Sequence, residues 1–247
     1  MGYFRRNFRH MRIGIAGYGR MGHEVEKVAT TRGHEVRVVA EAGIDAGELE
    51  ELLRGTDVVI EFTLPAVAPN LVSRILSAGV PVVSGSTGWL AGYDNTAALA
   101  VKYGTAFIHS SNYSPGVYIM TKVNSFMAQC LNSFDGYRPS ITEIHHTAKL
   151  DAPSGTAIML AGQIVEKSSY AGWQRAGEES SAEIPVSSVR SGSVPGTHHV
   201  KWTSEEDAIT LSHEAFGRQG FALGAVMAAE FISGKQGVFT TRDVFGF

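Results

Sequence analysis

The run Gly17-Tyr18-Gly19-Arg20-Met21-Gly22 restricts the possible folds of this chain more than any other feature. It directly follows a β-branched, apolar segment at 12–16 and opens a segment with helical periodicity at 20–31. In that context the first glycine permits a tight turn, the second lets a pyrophosphate approach the backbone, and the third allows close helix packing. The run therefore predicts a dinucleotide-binding unit of Rossmann type.

An acidic residue stands where such a unit recognises the adenosine ribose. The next predicted strand, 35–40, is followed by Glu41, about 20 residues beyond the glycines, where a carboxylate can accept hydrogen bonds from the ribose hydroxyls. NADH is therefore the expected cofactor, and Arg20 or Arg37 leaves NADPH open. The alternative interpretation is that the run is an ordinary glycine-rich turn and Glu41 an ordinary solvated residue. It would require the strand, the glycines, the helix, the second strand and the acid to occur in this order by chance.

From Met11 to about residue 114, short β-branched runs alternate with longer helical ones. This alternation is typical of βαβ units around a parallel sheet. The predicted strands are 12–16, 35–40, 57–62, 80–84 and 105–109. The predicted helices are 20–31, 66–78 and 93–103, and they should cover both faces of the sheet.

The rhythm changes after Ser114-Pro115-Gly116. We predict helices at 117–132 and 219–233, a variable loop at 168–182, and strands at 139–145, 184–191, 197–203 and 206–213. The fold class is then α/β, a Rossmann-type doubly wound parallel sheet with a second α+β domain built on an open mixed sheet. The dinucleotide-binding domain should comprise 11–114 and 218–247. The substrate-binding and oligomerisation domain should comprise 115–217, with hinges near 110–116 and 214–220.

Composition excludes several classes of partner. A net charge of −3 leaves no basic excess for nucleic acid, and no apolar run approaches the ~18 residues of a membrane helix. The single cysteine, Cys130, cannot form an internal disulfide, so we expect a buried free thiol and a cytoplasmic protein. Residues 1–10 have no apolar signal-peptide core, and we interpret them as an extension with an alternative start at Met11.

The densest set of reactive side chains begins at Glu143. If the chain stays extended, His145, Thr147 and Lys149 project to one side and His146 to the other. An imidazole and an ammonium in one cavity supply a proton near neutral pH and a positive charge for an anionic substrate. This pair suits reduction of an electron-poor C=C or C=N bond.

A helix start follows this segment. Asp151 or Ser154 can cap a helix with Pro153 in its first turn, so that the amides of Gly155 and Thr156 point outward and bind a carboxylate. Adjacent histidines are also common at surfaces, and P-S-G-T is also an ordinary helix start. Local chemistry alone leaves both interpretations open.

Two other groups of polar residues, a set of histidines and a set of serines, give weaker indications of function. His198-His199 and His145-His146 could be combined into a metal site, but no further ligand has metal-like spacing, so we predict structural or surface histidines and no metal. The serines at 84, 86, 110 and 111 lack the G-x-S-x-G elbow of hydrolases. We interpret them as loop donors near the cofactor.

The segment from Glu143 to Ala157 reads E-x-H-H-x-x-K-x-D-A-P-S-G-T-A and resembles the signature of the dihydrodipicolinate reductase family. Other segments resemble the same family along nearly the whole chain from Arg12. They are the G-R-M-G run after the first strand, Glu61-Phe62-Thr63, Gly85-Ser86-Thr87-Gly88, Ser111-Asn112-Tyr113-Ser114, Arg218 with 221–225, and Gly237-Val238-Phe239. The glycine loop is one residue shorter than in many members, and Ala42 stands where NADPH-using members often carry Arg. The second difference removes one partner for a 2′-phosphate and favours NADH.

The resemblance implies an NAD(P)H-dependent reduction of 4-hydroxy-tetrahydrodipicolinate, a small dicarboxylate, in lysine and diaminopimelate biosynthesis. It implies His145 as proton donor or acceptor and Lys149 as a second proton donor. It implies His146, Gly155 and Thr156 as substrate contacts, and a homotetramer formed through the second-domain sheet. The implied cofactor contacts are Gly17, Tyr18, Gly19, Arg20, Met21, Gly22, Glu41, Gly85, Ser86, Thr87, Ser110, Ser111, Asn112, Tyr113 and Arg218.

Two alternative functions share parts of this pattern. Another dehydrogenase of similar architecture, such as an aspartate dehydrogenase, would have the glycine loop but not the 143–157 run. A non-catalytic NAD(H)-binding protein would not need His145 and Lys149, whose presence therefore favours an enzyme.

Overall fold

The computed structural model describes residues 9–39, 46–177 and 180–246. Glu41 and Ala42, on which the cofactor preference depends, lie outside the described residues. The chain forms two compact units: one extends to Pro115 and resumes at Arg218, and the other is Gly116–Gly217. In the described ranges, no helix is both long enough and apolar enough to cross a membrane.

The regular elements of the described chain are numbered in chain order. The strands are β1 (Arg12–Ala16), β2 (Glu35–Val39), β3 (Val58–Glu61), β4 (Val82–Ser84), β5 (Ala106–His109), β6 (Arg138–His145), β7 (Gly172–Arg175), β8 (Glu183–Arg190), β9 (Gly196–Thr203), β10 (Ala208–Ala215) and β11 (Gly237–Phe239). The helices are α1 (Arg20–Thr31), α2 (Ala46–Leu53), α3 (Ala68–Ser77), α4 (Tyr93–Lys102), α5 (Pro115–Leu131), α6 (Gly155–Lys167), α7 (Gln219–Ile232) and α8 (Thr241–Phe245). A short 3₁₀ helix, Leu90–Gly92, precedes α4.

The first unit is built on a six-stranded sheet in the order β11-β5-β4-β3-β1-β2, with every pairing parallel. The four inner strands β5, β4, β3 and β1 are almost entirely buried because helices cover both faces. On one face Ile13 and Ile60 pack with Val25 of α1 and Val226 of α7. On the other face α2, α3 and α4 pack against residues such as Phe107. The predicted doubly wound parallel sheet is confirmed.

The second unit is built on a five-stranded sheet in the order β10-β9-β6-β8-β7. The central strand β6 runs antiparallel to β9 and parallel to β8, so the sheet is mixed, as predicted. Ile141, Val186 and Val200 form a buried row across these three strands and pack with Leu160 and Ile164 of α6. On the same face of β6, the side chains closer to the carboxyl end of the strand are polar.

Several features differ from the sequence predictions. The predicted loop 168–182 contains the edge strand β7, because Trp173 packs partly buried on the core while its backbone pairs with β8. Neither α2 nor the three-residue strand β11 was predicted; β11 depends on pairing with the distant β5. The prediction of a buried Cys130 is wrong, because α5 buries Asn124, Ala128 and Leu131, and Cys130 lies off that stripe and is exposed.

Candidate active site

The glycine loop of the first unit is held closely against the end of β3. Gly17 has φ +86°, and a Cβ on it would lie 2.3 Å from the carbonyl oxygen of Phe62. A Cβ on Gly22 would lie 2.4 Å from the carbonyl oxygen of Gly17. At Gly19, by contrast, a Cβ would meet nothing within 4 Å. The loop is therefore packed on one side and has open space at its middle glycine.

The open space belongs to a cleft of about 310 Å³, lined by Gly17, Tyr18, Gly19, Phe62, Thr63, Leu64 and Val67. It lies at the carboxyl ends of parallel strands, where α/β sheets bind their ligands. Gly19 is the N-cap of α1 and has no side chain to cap the helix, so the first-turn amides of α1 lack a side-chain acceptor. Arg20 is exposed beside them and Met21 is half-buried. A glycine cradle at an uncapped helix start fits a dinucleotide pyrophosphate.

Glu61 organises the loops next to this cleft. Its carboxylate is fully buried at the end of β3 and accepts hydrogen bonds from the Thr63 amide at 2.5 Å and the Thr63 hydroxyl at 2.6 Å. The hydroxyls of Ser84 and Ser86 donate to the same carboxylate. Because these donors belong to two loops, Glu61 ties the end of β3 to the end of β4.

Replacing Glu61 with alanine should leave several buried donors without an acceptor. We expect the free energy of unfolding to fall by about 2–3 kcal/mol, since an unsatisfied buried polar group costs about 1–3 kcal/mol, and NADH binding to weaken. Urea unfolding and a fluorescence titration with NADH measure the two effects. Glu51→Ala, at an exposed position on α2, is the matched control. Unchanged stability and NADH affinity in Glu61→Ala would contradict this role.

The other predicted cofactor residues of the first unit lie in two loops and one helix start. Phe62 packs against Gly85, where a Cβ would lie 2.0 Å from its ring. Ser86 is buried by its bonds to Glu61, and Thr87 is exposed. Arg218 is the exposed N-cap residue of α7.

The loop after β5 is held by its own side chains. The Ser110 hydroxyl donates to the Asn112 carbonyl oxygen at 2.8 Å, and Asn112 Oδ1 accepts from the Ser114 amide at 2.9 Å. Ser111 is exposed. Tyr113 is fully buried and its hydroxyl donates to the Ser84 carbonyl oxygen at 2.8 Å; burial raises the pKa of Tyr113 well above its ordinary value. The Tyr113 ring is thus part of the core.

In the second unit, polar side chains gather at the carboxyl end of β6. Glu143 and His145 are two residues apart and share the covered face with Ile141. In register, Glu143 lies opposite His198 of β9, and His145 lies opposite Arg190 of β8. The same face that is apolar in the middle of the sheet therefore ends in a buried charged cluster.

Glu143 is the centre of this cluster. It has no exposed surface, its Oε2 contacts Nδ1 of His145, and its Oε1 accepts from Arg190 Nη2 at 2.9 Å. Burial alone would raise the pKa of Glu143, but the hydrogen bonds from Arg190 and Ser188 and the nearby charges outweigh it, so the pKa is lowered. Glu143 is therefore an ionised acceptor inside the fold.

The two histidines of the cluster are both buried. Their rings meet edge to face with centroids 5.1 Å apart, and His198 Nε2 lies 3.1 Å from the Ser154 hydroxyl oxygen. Burial lowers the pKa of His145, and the charges of Lys149 and Arg190 add to this effect while Glu143 opposes it. Burial, with a smaller contribution from His145, lowers the pKa of His198 to about 4. Both rings are neutral near pH 7.

Because His198 is buried in its neutral form, the free energy of unfolding should decrease as the pH falls below about 6.5. An unfolded histidine has a pKa of about 6.5 and His198 one of about 4, so its contribution is complete above about pH 6.5. As pH falls to about 4, the unfolded chain takes up the proton first and about 3 kcal/mol is lost. Urea unfolding between these pH values should show a smaller loss in His198→Asn. His199→Asn, on the adjacent residue, should keep the full loss; a full loss in His198→Asn would contradict the assignment.

The segment after β6 does not stay extended. The strand ends at His145, and a turn in which the Lys149 amide donates to the His146 carbonyl oxygen follows. The prediction assumed an extended chain, with strand alternation placing Lys149 on the side of His145. This assumption is wrong, because a turn sets the position of Lys149. Lys149 Nζ forms an ion pair with Asp151 at 2.8 Å. Thr147 is exposed and does not belong to the buried cluster.

The helix start after the turn is capped by Ser154, whose hydroxyl accepts from the Ala157 amide at 3.3 Å. Of the two predicted caps, Ser154 is the one observed. The prediction that Pro153 lies in the first turn is wrong, because α6 begins only at Gly155 and Pro153 precedes the cap. The amides of Gly155 and Thr156 are the first two of α6 and have no acceptor within the helix. His146 is half-buried on the strand side of the turn.

Sequence reasoning assigned no role to Arg190 or Glu143 and gave His198 only a structural or surface role. The ligand atoms of Glu143, His145 and His198 lie within 4.8 Å of one another, which is close enough to be compared with metal sites. The expectation that the protein uses no metal stays a prediction. The two-residue spacing of Glu143 and His145 could have indicated that the two side chains share one face of a strand. The strand register that brings His198 and Arg190 to them could not be predicted from the sequence.

A glycine loop in a doubly wound sheet, joined to a second unit with a buried acid–base cluster, defines a dinucleotide-dependent oxidoreductase. Residues 11–113 match the N-terminal part, and residues 116–245 the C-terminal part, of the family described as dihydrodipicolinate reductase. The chain belongs to this family. The predicted family and enzyme class, an NAD(P)H-dependent reductase, are thereby confirmed.

Individual relatives agree with this assignment. The 4-hydroxy-tetrahydrodipicolinate reductase of Christiangramia forsetii is 42% identical over 95% of this chain and 97% of the relative. That of Rickettsia bellii is 33% identical over 94% of both chains. Among solved structures, a dipicolinate-bound dihydrodipicolinate reductase from Paenisporosarcina sp. TG-14 has the same fold, with a TM-score of 0.75, 24% identity, and coverage of 95% of this chain and 99% of that chain.

Proposed function

We propose that this chain reduces 4-hydroxy-tetrahydrodipicolinate to tetrahydrodipicolinate with NAD(P)H, the reaction of its family in lysine and diaminopimelate biosynthesis. In this reaction the ring loses its hydroxyl group as water and gains one hydride and one proton. The observation that carries the proposal is the buried His145, set between Glu143 and His198 within the motif 143–157. Such a histidine can hold and deliver the proton.

The dinucleotide is assigned to the first unit. Gly17, Gly19 and Gly22 with the start of α1 would hold the pyrophosphate, and loops 85–87 and 110–113 with Arg218 would complete the site. When bound, the reduced nicotinamide supplies the hydride. We expect NADH to be preferred, because Glu41 suits the ribose hydroxyls and Ala42 offers no cation to a 2′-phosphate.

The substrate is assigned to the second unit. The amides of Gly155 and Thr156 at the start of α6 would accept one carboxylate, and His146 would help to orient it. Lys149 provides a positive charge and a second proton for the dianionic ring, while Asp151 holds its ammonium group. Arg190 fixes the turn between them by donating to the carbonyl oxygens of Lys149 and Asp151.

Assembly and location are also proposed. We expect a homotetramer formed through the sheet of the second unit, whose exposed residues include Val189 on β8. Light scattering on purified protein measures this subunit number. We expect a cytoplasmic enzyme, because the single Cys130 leaves no disulfide within the chain.

The decisive experiment is a coupled assay in which the upstream synthase generates the unstable substrate in the cuvette. Parallel reactions with NADH and NADPH should both show substrate-dependent oxidation of the cofactor, with a higher kcat/KM for NADH. Oxidation with neither cofactor, or turnover of aspartate in its place, would overturn the proposed reaction. A higher kcat/KM for NADPH would overturn only the cofactor preference.

A further inference from the structure

Beyond the proposed proton transfer, His145 is held in place by a carboxylate that is itself held in place. Oε2 of Glu143 contacts Nδ1 of His145, while Oε1 of Glu143 accepts from Arg190 Nη2 at 2.9 Å. All three residues are on the covered face at the end of neighbouring strands, and Glu143 has no exposed surface. Oε2 therefore lies against the imidazole while Oε1 is held by the guanidinium group.

This arrangement selects one tautomer of the imidazole. A carboxylate accepts hydrogen bonds and cannot donate them when ionised, so the ring proton of neutral His145 belongs on Nδ1. Nε2 then carries the lone pair, so it can take up a proton from solvent to form the imidazolium, give that proton to the substrate, and return to the same tautomer. It faces Gly196, where a Cβ would lie 3.1 Å from Nε2, so a glycine leaves room at the reacting nitrogen.

We propose that Glu143, anchored by Arg190, is a positioning residue that holds His145 as its Nδ1–H tautomer with Nε2 available for proton transfer. The proposal rests on the proposed function, in which His145 moves the proton. It assigns Glu143 no contact with substrate or cofactor; Glu143 acts through the orientation and proton position of His145.

A metal ion is the competing use of the same atoms. Glu143, His145 and His198 are close enough together to be compared with a metal site. However, Glu143 Oε2 and His145 Nδ1 are in direct contact with each other, which leaves no room for an ion between the two atoms. The Arg190 guanidinium also balances the negative charge of Glu143, which would otherwise attract a cation. The geometry therefore favours proton positioning.

Glu143→Gln separates these possibilities because Arg190 controls how the amide points. Arg190 can only donate, so the glutamine oxygen should turn to it and the NH₂ group should face His145 Nδ1. The ring proton is then forced to Nε2, and the amide NH₂ disfavours a second proton on Nδ1, so the imidazolium that would give a proton to the substrate does not form. We expect kcat to fall by at least ~10², the scale of general acid–base contributions, with KM changed by less than about threefold, since uniform binding is untouched.

The tautomer is read directly by ¹⁵N NMR of histidine-labelled full-length protein at about pH 8, with the His145 signals assigned from a His145→Gln sample. Wild type should show Nδ1–H, and Glu143→Gln should show Nε2–H. Glu214→Gln, the same exchange at an exposed position of β10, is the matched control and should change neither kcat nor the spectrum.

The outcomes are distinct. Nε2–H in wild type overturns the proposal even if Glu143→Gln does not fold, and so does a wild-type kcat in Glu143→Gln. Activity lost on dialysis against a chelator and restored by Zn²⁺ would overturn it in favour of a metal site. If His145→Gln retains full turnover while the tautomer still follows Glu143, the proposed catalytic role of His145 fails and the positioning contact stands.

Discussion

Replacing His145 with glutamine is expected to lower kcat by at least ~10², the usual contribution of a positioned acid or base. Glutamine is similar in size and polar, but it cannot exchange a proton near neutral pH. His145 is the buried histidine of the 143–157 motif, with its Nδ1 side against Glu143 and its burial keeping it neutral. The coupled assay at saturating substrate measures kcat, and circular dichroism checks that the variant is folded.

Lys149→Ala tests the same chemistry from the second proton donor and should also lower kcat by at least ~10². His199→Gln and Lys167→Ala are the matched controls, because the first changes the neighbour of His198 and the second an exposed lysine at the end of α6. Both controls should turn over at the wild-type rate. Near wild-type kcat in both His145→Gln and Lys149→Ala would remove the assigned catalytic roles.

Replacing Gly224 with alanine is expected to disrupt the first unit. A Cβ on Gly224 would lie 1.7 Å from the carbonyl oxygen of Tyr113, far inside van der Waals contact, and that oxygen belongs to backbone that cannot rotate away. Helix α7 would have to move off the sheet, where it packs its alanines against α1 and the strands. We expect a loss of at least about 3 kcal/mol in the free energy of unfolding, the upper part of the range for overpacked cores.

The same helix offers the control. A Cβ on Gly220 would lie 3.7 Å from the Ser114 hydroxyl oxygen, which is ordinary contact. Gly220→Ala should therefore be neutral or stabilising by up to about 1 kcal/mol, the difference in helix propensity between alanine and glycine. Urea unfolding of both variants measures the difference. Equal stabilities for the two would show that the close approach at Gly224 does not constrain the packing of α7.

Strands β1 to β5 of the first unit could be predicted within one or two residues, because strands of a parallel sheet form apolar runs between polar turns. The short strands β7 and β11 could not, because each is held by backbone pairing with a partner chosen by the whole fold. The same limit applies to Lys149, for which alternation predicted an extended path and the structure has a turn.

The glycine loop and a helix start close to Ser154 depend on neighbours within a few residues, so the sequence by itself determined them. Only the tertiary structure decided the surroundings of His145. Its partner Glu143 is anchored by Arg190, 47 residues further along the chain, and His198 arrives on the antiparallel strand β9. Hydrogen-bond register between distant strands places these groups together, and the exclusion of water around them sets their charges.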